Sequence, residues 1–232
     1  MPYYFGDIYY FILVIPVLIF TLICQARVNS TFKKYSQMRT YRGMDGATAA
    51  GQVLRYNSVF GVRVERVSGD LTDHFDPKTN VIRLSDSVYN APTVAAVGVA
   101  AHEAGHAAQY AEEYFPIKLR AAIIPVTKIG SSLAIPLVIA GILLSFPFLW
   151  TIGILCFSLS VFFQLITLPV EFNASRRAMT TLRDSGMLSE EELKGARKVL
   201  TAAALTYVAA LAVSLAQLLR LLALANSRGR RR

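Results

Sequence analysis

Apolar and polar positions divide the chain into blocks of two kinds. Ile8 to Cys24 is almost unbroken apolar sequence, close to the ~20 residues with which an α-helix crosses a bilayer. Ile129 to Phe146 and Phe148 to Leu168 are two further apolar runs, parted by Pro147 with no charge between them, which predicts a helical hairpin with a minimal turn. Val199 to Gln217 is long enough for a fourth crossing. Between the first and second runs the pattern is shorter and mixed. Asp45 opens a helix to about Tyr56; Val59 to Val67 and Val81 to Leu84 read as strands joined by a polar loop. A helix of small apolar residues then runs from about Thr93 to Glu113, with Pro92 near its start. Residues 172–198 are polar and helical, and Ser189 ahead of Glu190, Glu191 and Glu192 reads as a capping box.

These blocks predict a mainly α membrane protein with a small α+β unit and about four transmembrane helices. Its parts are an N-terminal anchor (1–26), a mixed unit (27–128), a transmembrane hairpin (129–169), a polar helical segment (170–198) and an apolar helix with a basic tail (199–232). Composition agrees: 54% of the 232 residues are hydrophobic, high for a soluble domain. The first apolar run follows Met-Pro-Tyr-Tyr-Phe-Gly-Asp with no Lys or Arg, so it reads as an uncleaved anchor. Arg27, Lys33, Lys34, Arg39 and Arg42 follow it with no acid among them, which places the N-terminus outside and the next segment in the cytoplasm. The net charge of +9 goes with these flanks and with the C-terminal Arg228, Arg230, Arg231 and Arg232. No aromatic platform is interleaved with them, so the partner expected is an anionic bilayer and not a nucleic acid. The last crossing is the strained one, because it leaves that basic tail and Arg220 at the outer boundary. Cys24 and Cys156 both lie within apolar runs, away from any metal-ligand spacing.

The chemistry is concentrated in His102-Glu103-Ala104-Gly105-His106, which uses two of the three histidines in the chain. On a helix, positions i and i+4 share a face, so both imidazoles can grip one metal ion. Glu103 adjoins the first of them, where a carboxylate can take a proton from a metal-polarised water. A catalytic zinc needs a third protein ligand. Glu112 and Glu113 ride the same helix about 9–10 Å further along its axis, out of reach. Glu190, Glu191 and Glu192 have the capping role, and Asp184-Ser185-Gly186 reads as a turn. Glu171 remains, two residues after Pro169, at the expected start of a helix and on the side to which the hairpin returns the chain. Ser175, four residues on, could hydrogen-bond a metal-binding histidine, and Asn173 is a second candidate for that contact. His74 lies in a turn-rich stretch. It joins Tyr110, Arg176 and Arg177 as candidate donors to a developing oxyanion. Val81, Ile82, Arg83 and Leu84 form a candidate strand for binding an extended substrate by strand addition.

His102-Glu103-Ala104-Gly105-His106 followed by Glu171-Phe172-Asn173-Ala174-Ser175 resembles the bacterial neutral zinc metallopeptidases of the YugP-like membrane family. Asn80-Val81-Ile82-Arg83-Leu84-Ser85 and the run Val199 to Leu222 fit the same family, so the resemblance covers nearly the whole chain. It implies a zincin-like unit and a gluzincin-type peptidase, with His102, His106 and Glu171 as ligands to one zinc ion and Glu103 as general base. The chain is more distantly similar to heat-shock membrane peptidases, which carry an aspartate where Ser175 stands. The expected protein is a zinc endopeptidase of the bacterial cell membrane, working on protein or peptide substrates at the cytoplasmic face.

Three rivals are weaker. A zinc-binding scaffold or inactive relative would not need Glu103. A transporter would be expected to carry charge in mid-span. A basic adaptor on the membrane surface would leave the histidine pair without a role. An intramembrane protease of the site-2 type is disfavoured too: the apolar stretch before His102 is too short to span, and the later apolar runs hold no aspartate.

Overall fold

Residues 8–229 are described in this computed structural model, with side chains described as far as Asn226. The start of the anchor (Met1 to Asp7), the Arg228 side chain and Arg230 to Arg232 lie outside the described residues. The chain is mainly helical with one small sheet. A π-helical turn at Tyr10–Val14 leads into α1 (Ile15–Ser36). α2 (Gly46–Tyr56), β1 (Arg63–Arg66), β2 (His74–Asp76), β3 (Val81–Leu84) and α3 (Val94–Ala111) follow. Three long helices complete the chain: α4 (Phe115–Leu143), α5 (Pro147–Asp184) and α6 (Glu190–Gly229).

Two compact units share these helices. The first comprises residues 25–118 and 169–205. Its helix starts are set by side chains that satisfy otherwise unpaired backbone N–H groups. Asp45 accepts from the Thr48 N–H at 2.8 Å to cap α2, and Thr93 accepts from Ala96 at 3.3 Å to cap α3. At α6, Ser189 Oγ accepts from the Glu192 N–H at 3.4 Å while Glu192 Oε2 accepts from the Ser189 N–H at 2.7 Å. That is the reciprocal capping box. The other oxygen of Glu192 accepts from the Tyr41 N–H at 2.6 Å, tying α6 to the segment after α1. The core of this unit is drawn from α2, β3, α3, α5 and α6, with Val53, Ile82, Leu84, Val97 and Leu182 fully buried.

The sheet has the order β1-β3-β2, parallel between β1 and β3 and antiparallel between β3 and β2. This corrects the expectation for Val81–Leu84. β3 is the central strand with both edges already paired, and Val81, Ile82 and Leu84 are buried, so it has no edge for an added strand. The polar loop expected between two strands contains the third, β2. Asp76 steadies the turn after it, accepting from Lys78 N–H at 3.0 Å, Thr79 Oγ at 2.7 Å and Arg83 Nη1 at 3.0 Å.

The second unit comprises the described residues up to Cys24, Leu119–Leu168 and those from Thr206 onward. Small residues set its packing: a Cβ on Gly153 of α5 would stand 2.7 Å from the Ala134 carbonyl oxygen of α4. Phe11, Ile12, Leu22, Ile23, Ile129, Leu143, Phe148 and Leu155 all face outward, the reverse of a soluble domain. The stretches Tyr10–Ser36, Phe115–Leu143, Pro147–Asp184 and Glu190–Asn226 are each long and apolar enough to cross a membrane. Two expectations change. α4 begins at Phe115, so residues 115–128 are its first turns. Pro169 stands inside the 38-residue α5 and does not start a helix. Its ring removes one ladder hydrogen bond, and the turns on either side carry the helix through.

Candidate metal centre

α3 is built almost wholly of small residues, and its alanines from Ala95 to Ala108 are buried. Gly105, inside the histidine motif, faces α5 so closely that an added Cβ would meet the Ala174 carbonyl oxygen at 2.6 Å. Backbone therefore approaches backbone at that crossing, and Glu171, three residues before Ala174, reaches the two histidines. Glu171 Oε2 lies 3.3 Å from His102 Nε2 and 3.4 Å from His106 Nε2. Among the described residues these three form the cluster of possible metal ligands, their donor atoms all within 4.8 Å of one another.

The donor set suits zinc in type and spacing. Ligand bonds of about 2.0–2.1 Å in a tetrahedron separate neighbouring donor atoms by roughly 3.3–3.4 Å. Two imidazole nitrogens and one carboxylate oxygen are the donors of a catalytic zinc that keeps a position open. Hydrogen bonding behind the histidines points the same way. Gln109 is fully buried, and its amide nitrogen donates to Val170 O at 2.8 Å and to Asn173 Oδ1 at 2.9 Å. Its oxygen is left as the acceptor for His106 Nδ1–H at 3.0 Å. That fixes the tautomer, so the neutral ring turns a lone pair on Nε2 towards the Glu171 carboxylate. Two electron-rich atoms face each other in a site where Glu171 is 2% exposed. A buried carboxylate so placed calls for a cation between them. The His106 pKa responds accordingly. Burial pushes it down, the hydrogen bond its protonated ring can donate to Glu171 and the charges of Glu103 and Glu171 push it up, and the net direction is up. On the other ring, His102 Nδ1 is 3.1 Å from Ser175 Oγ.

The remaining candidates fall into distinct places. Glu103 is buried, on the turn between the two histidines. Asn173 touches Gln109 and not a histidine, so it stands one link further back than expected. Arg177 is engaged behind it, donating from Nε to Asn173 Oδ1 at 2.8 Å and from Nη1 to Glu112 Oε1 at 2.6 Å. Arg176 lines a groove between α5 and α6. His74 is exposed on β2, with Nδ1 2.8 Å from Thr72 O. Tyr110 packs its ring edge-on to Phe75 of β2 at 5.6 Å, which sets that edge strand beside α3.

Two residues were not singled out from the sequence. Gln109 could have been, as the one amide on an apolar helix and one turn after His106. Asp73 is the other. Burial pushes its carboxyl up, hydrogen bonds from the Ser85 N–H at 2.7 Å and Ser85 Oγ at 3.0 Å pull it down, and the charge of Glu103 pushes it up, with a net rise. That places a second acid within electrostatic reach of Glu103.

Comparison with known proteins gives two matches. The family model described as "Putative neutral zinc metallopeptidase" matches residues 10–226. A protein of Bacillus subtilis (strain 168) named "Putative membrane protease YugP" is 48% identical over 196 residues, covering 84% of this chain and 87% of the relative. No solved structure matches.

Proposed function

The chain belongs to the family described as "Putative neutral zinc metallopeptidase", and on that premise we propose that it is a membrane-embedded zinc endopeptidase. His102, His106 and Glu171 hold one zinc ion, and Glu103 is the general base. The observation that carries this reading is the approach of Glu171 Oε2 to both Nε2 atoms, at 3.3 and 3.4 Å. Zinc, when bound, supplies Lewis acidity, easing deprotonation of water and polarising a peptide carbonyl. Glu103 accepts the proton of the attacking water and later delivers it to the departing amine nitrogen. Gln109 holds the His106 ring with Nε2 turned inward, and Ser175 steadies His102. An extended substrate lies along the open edge of β2, the strand that packs against Tyr110 of α3. The site works at the cytoplasmic face of a multi-pass protein. The basic residues Arg27, Lys33 and Lys34 in the second half of α1 support that orientation.

The test is metal content and peptide cleavage of purified protein beside Glu103→Gln. Both proteins are expected to hold about one zinc per chain, with cleavage lowered about 10²- to 10⁴-fold in the variant. Zinc with no Glu103-dependent cleavage would leave a zinc-binding scaffold. No stoichiometric metal in protein prepared without chelator would sink the mechanism.

A further inference from the structure

Where α5 and α6 run side by side after the apolar stretches, a groove of about 530 Å³ opens between them. Arg176 and Arg183 of α5 and Arg197 of α6 line it, together with the hydroxyls of Thr180 and Thr201. Arg183 pairs with Asp184 at 2.9 Å, whereas Arg176 and Arg197 are exposed and make no ion pair among the described residues. The lining changes character along the helices. Phe172 is exposed at the end nearer the apolar stretches of the same two helices, beside the buried Leu200 and Ala204; Met179 lies midway, and Arg183 stands towards the Ser185–Ser189 turn. A second groove of about 450 Å³ shares Arg197 and Thr201 and adds Arg27 and Lys34 of α1 and Lys198 of α6. Among the described residues no acid lines either groove.

A cationic, hydroxyl-bearing pocket that turns apolar along one axis matches a molecule with an anionic head and a hydrocarbon body. We propose that the α5–α6 groove binds the phosphodiester headgroup of an anionic phospholipid, with Arg176 and Arg197 gripping the phosphate and the exposed Phe172 receiving the first acyl carbons over the floor formed by Leu200 and Ala204. Planar guanidinium forks suit phosphate oxygens, and the apolar end excludes a fully hydrated soluble anion as the best fit. Ser175 lines the groove and also touches His102, so a bound headgroup sits one side chain from the candidate metal centre.

The inference rests on the membrane reading given above. The full chain is incorporated into nanodiscs of phosphatidylcholine alone, or with about one fifth phosphatidylglycerol. Lipids retained after release into detergent are then counted by native mass spectrometry. Wild type is expected to retain phosphatidylglycerol selectively, and Arg176→Gln with Arg197→Gln to lose about fivefold per arginine. The matched pair Arg176→Lys with Arg197→Lys keeps the charge and should keep much of the retention. Arg55→Gln, which removes an exposed cation on α2, should change nothing. Unaltered retention in the double Gln variant, or an equal loss with Arg55→Gln, overturns the site. Full displacement by soluble glycerol phosphate makes it a site for the free anion and overturns the lipid assignment. Failure to enter neutral nanodiscs at all would count against the membrane reading, whereas entry without lipid selection counts against the groove alone.

Discussion

At the scale of single residues, Gln109 is the informative case. It receives the His106 N–H and passes both of its own hydrogens to α5, at Val170 O and Asn173 Oδ1. Gln109→Leu keeps roughly the volume and removes all three bonds. Losing a partner of this kind typically weakens metal affinity about 10- to 100-fold. A zinc competition titration against a chelator should show that loss while the far-ultraviolet spectrum stays native. Undiminished affinity would show that packing alone orients the ring. The grouping of the two histidines was legible because their i, i+4 spacing puts both rings on one helix face. Glu171 followed by elimination among the acids. Gln109 was legible only in part: a lone amide one turn after His106 marks a partner for that ring, but its two bonds to α5, at positions more than sixty residues further on, leave no sign in the sequence.

At the scale of elements, the crossing of α3 over α5 decides whether a site exists. Gly105→Ala separates two expectations cleanly. Helix propensity alone would make alanine stabilising by about 1 kcal/mol. The 2.6 Å approach to the Ala174 carbonyl oxygen instead forces the helices apart, and such overpacking typically costs about 1–3 kcal/mol. We expect a lower unfolding temperature and lost zinc binding, both readable on the purified variant. A stabilised variant that keeps its metal would disprove the close crossing. Helix starts at Asp45, Thr93 and Ser189 were readable from the sequence, because caps are local. Strand β2 was not, since three residues between turns have too little periodicity to stand out. The central place of β3 depends on that same missed strand. Pro169 misled for a related reason: a proline favours a helix start in isolation, but here the neighbouring turns override it.

For the whole molecule, the long apolar runs were legible at once and their helical limits were not. Hydropathy marks what a bilayer could cover but says nothing of how far a helix continues beyond it, so α4 starts before its apolar stretch and α6 carries on past its own. Arg220, awkward for an outer boundary, lies with its guanidinium 5.1 Å from the centre of the Tyr10 ring, a cation–π pairing that gives the charge a partner. If four helices cross with the N-terminus outside, the α4–α5 turn is external and the α5–α6 turn is internal. On a background lacking Cys24 and Cys156, Ser145→Cys should react with an impermeant maleimide on intact cells. Glu191→Cys should react only after permeabilisation. The reverse pattern would move the candidate metal centre to the outer face.

The inward-facing lone pair of His106 has a thermodynamic consequence. In metal-free protein the raised His106 pKa favours a proton between Nε2 and Glu171 over the bare pair. That proton stabilises the empty fold fully below about 6.5, and the benefit fades as the pH climbs through the raised value. Zinc loading is then an exchange reaction: one ion enters and one proton leaves. Apparent affinity should fall up to about tenfold for each pH unit below that pKa and level off above it. Calorimetry in buffers of different ionisation enthalpy would count the proton directly. A release of about one per zinc would make ambient acidity a competitor for the same few cubic ångströms as the metal.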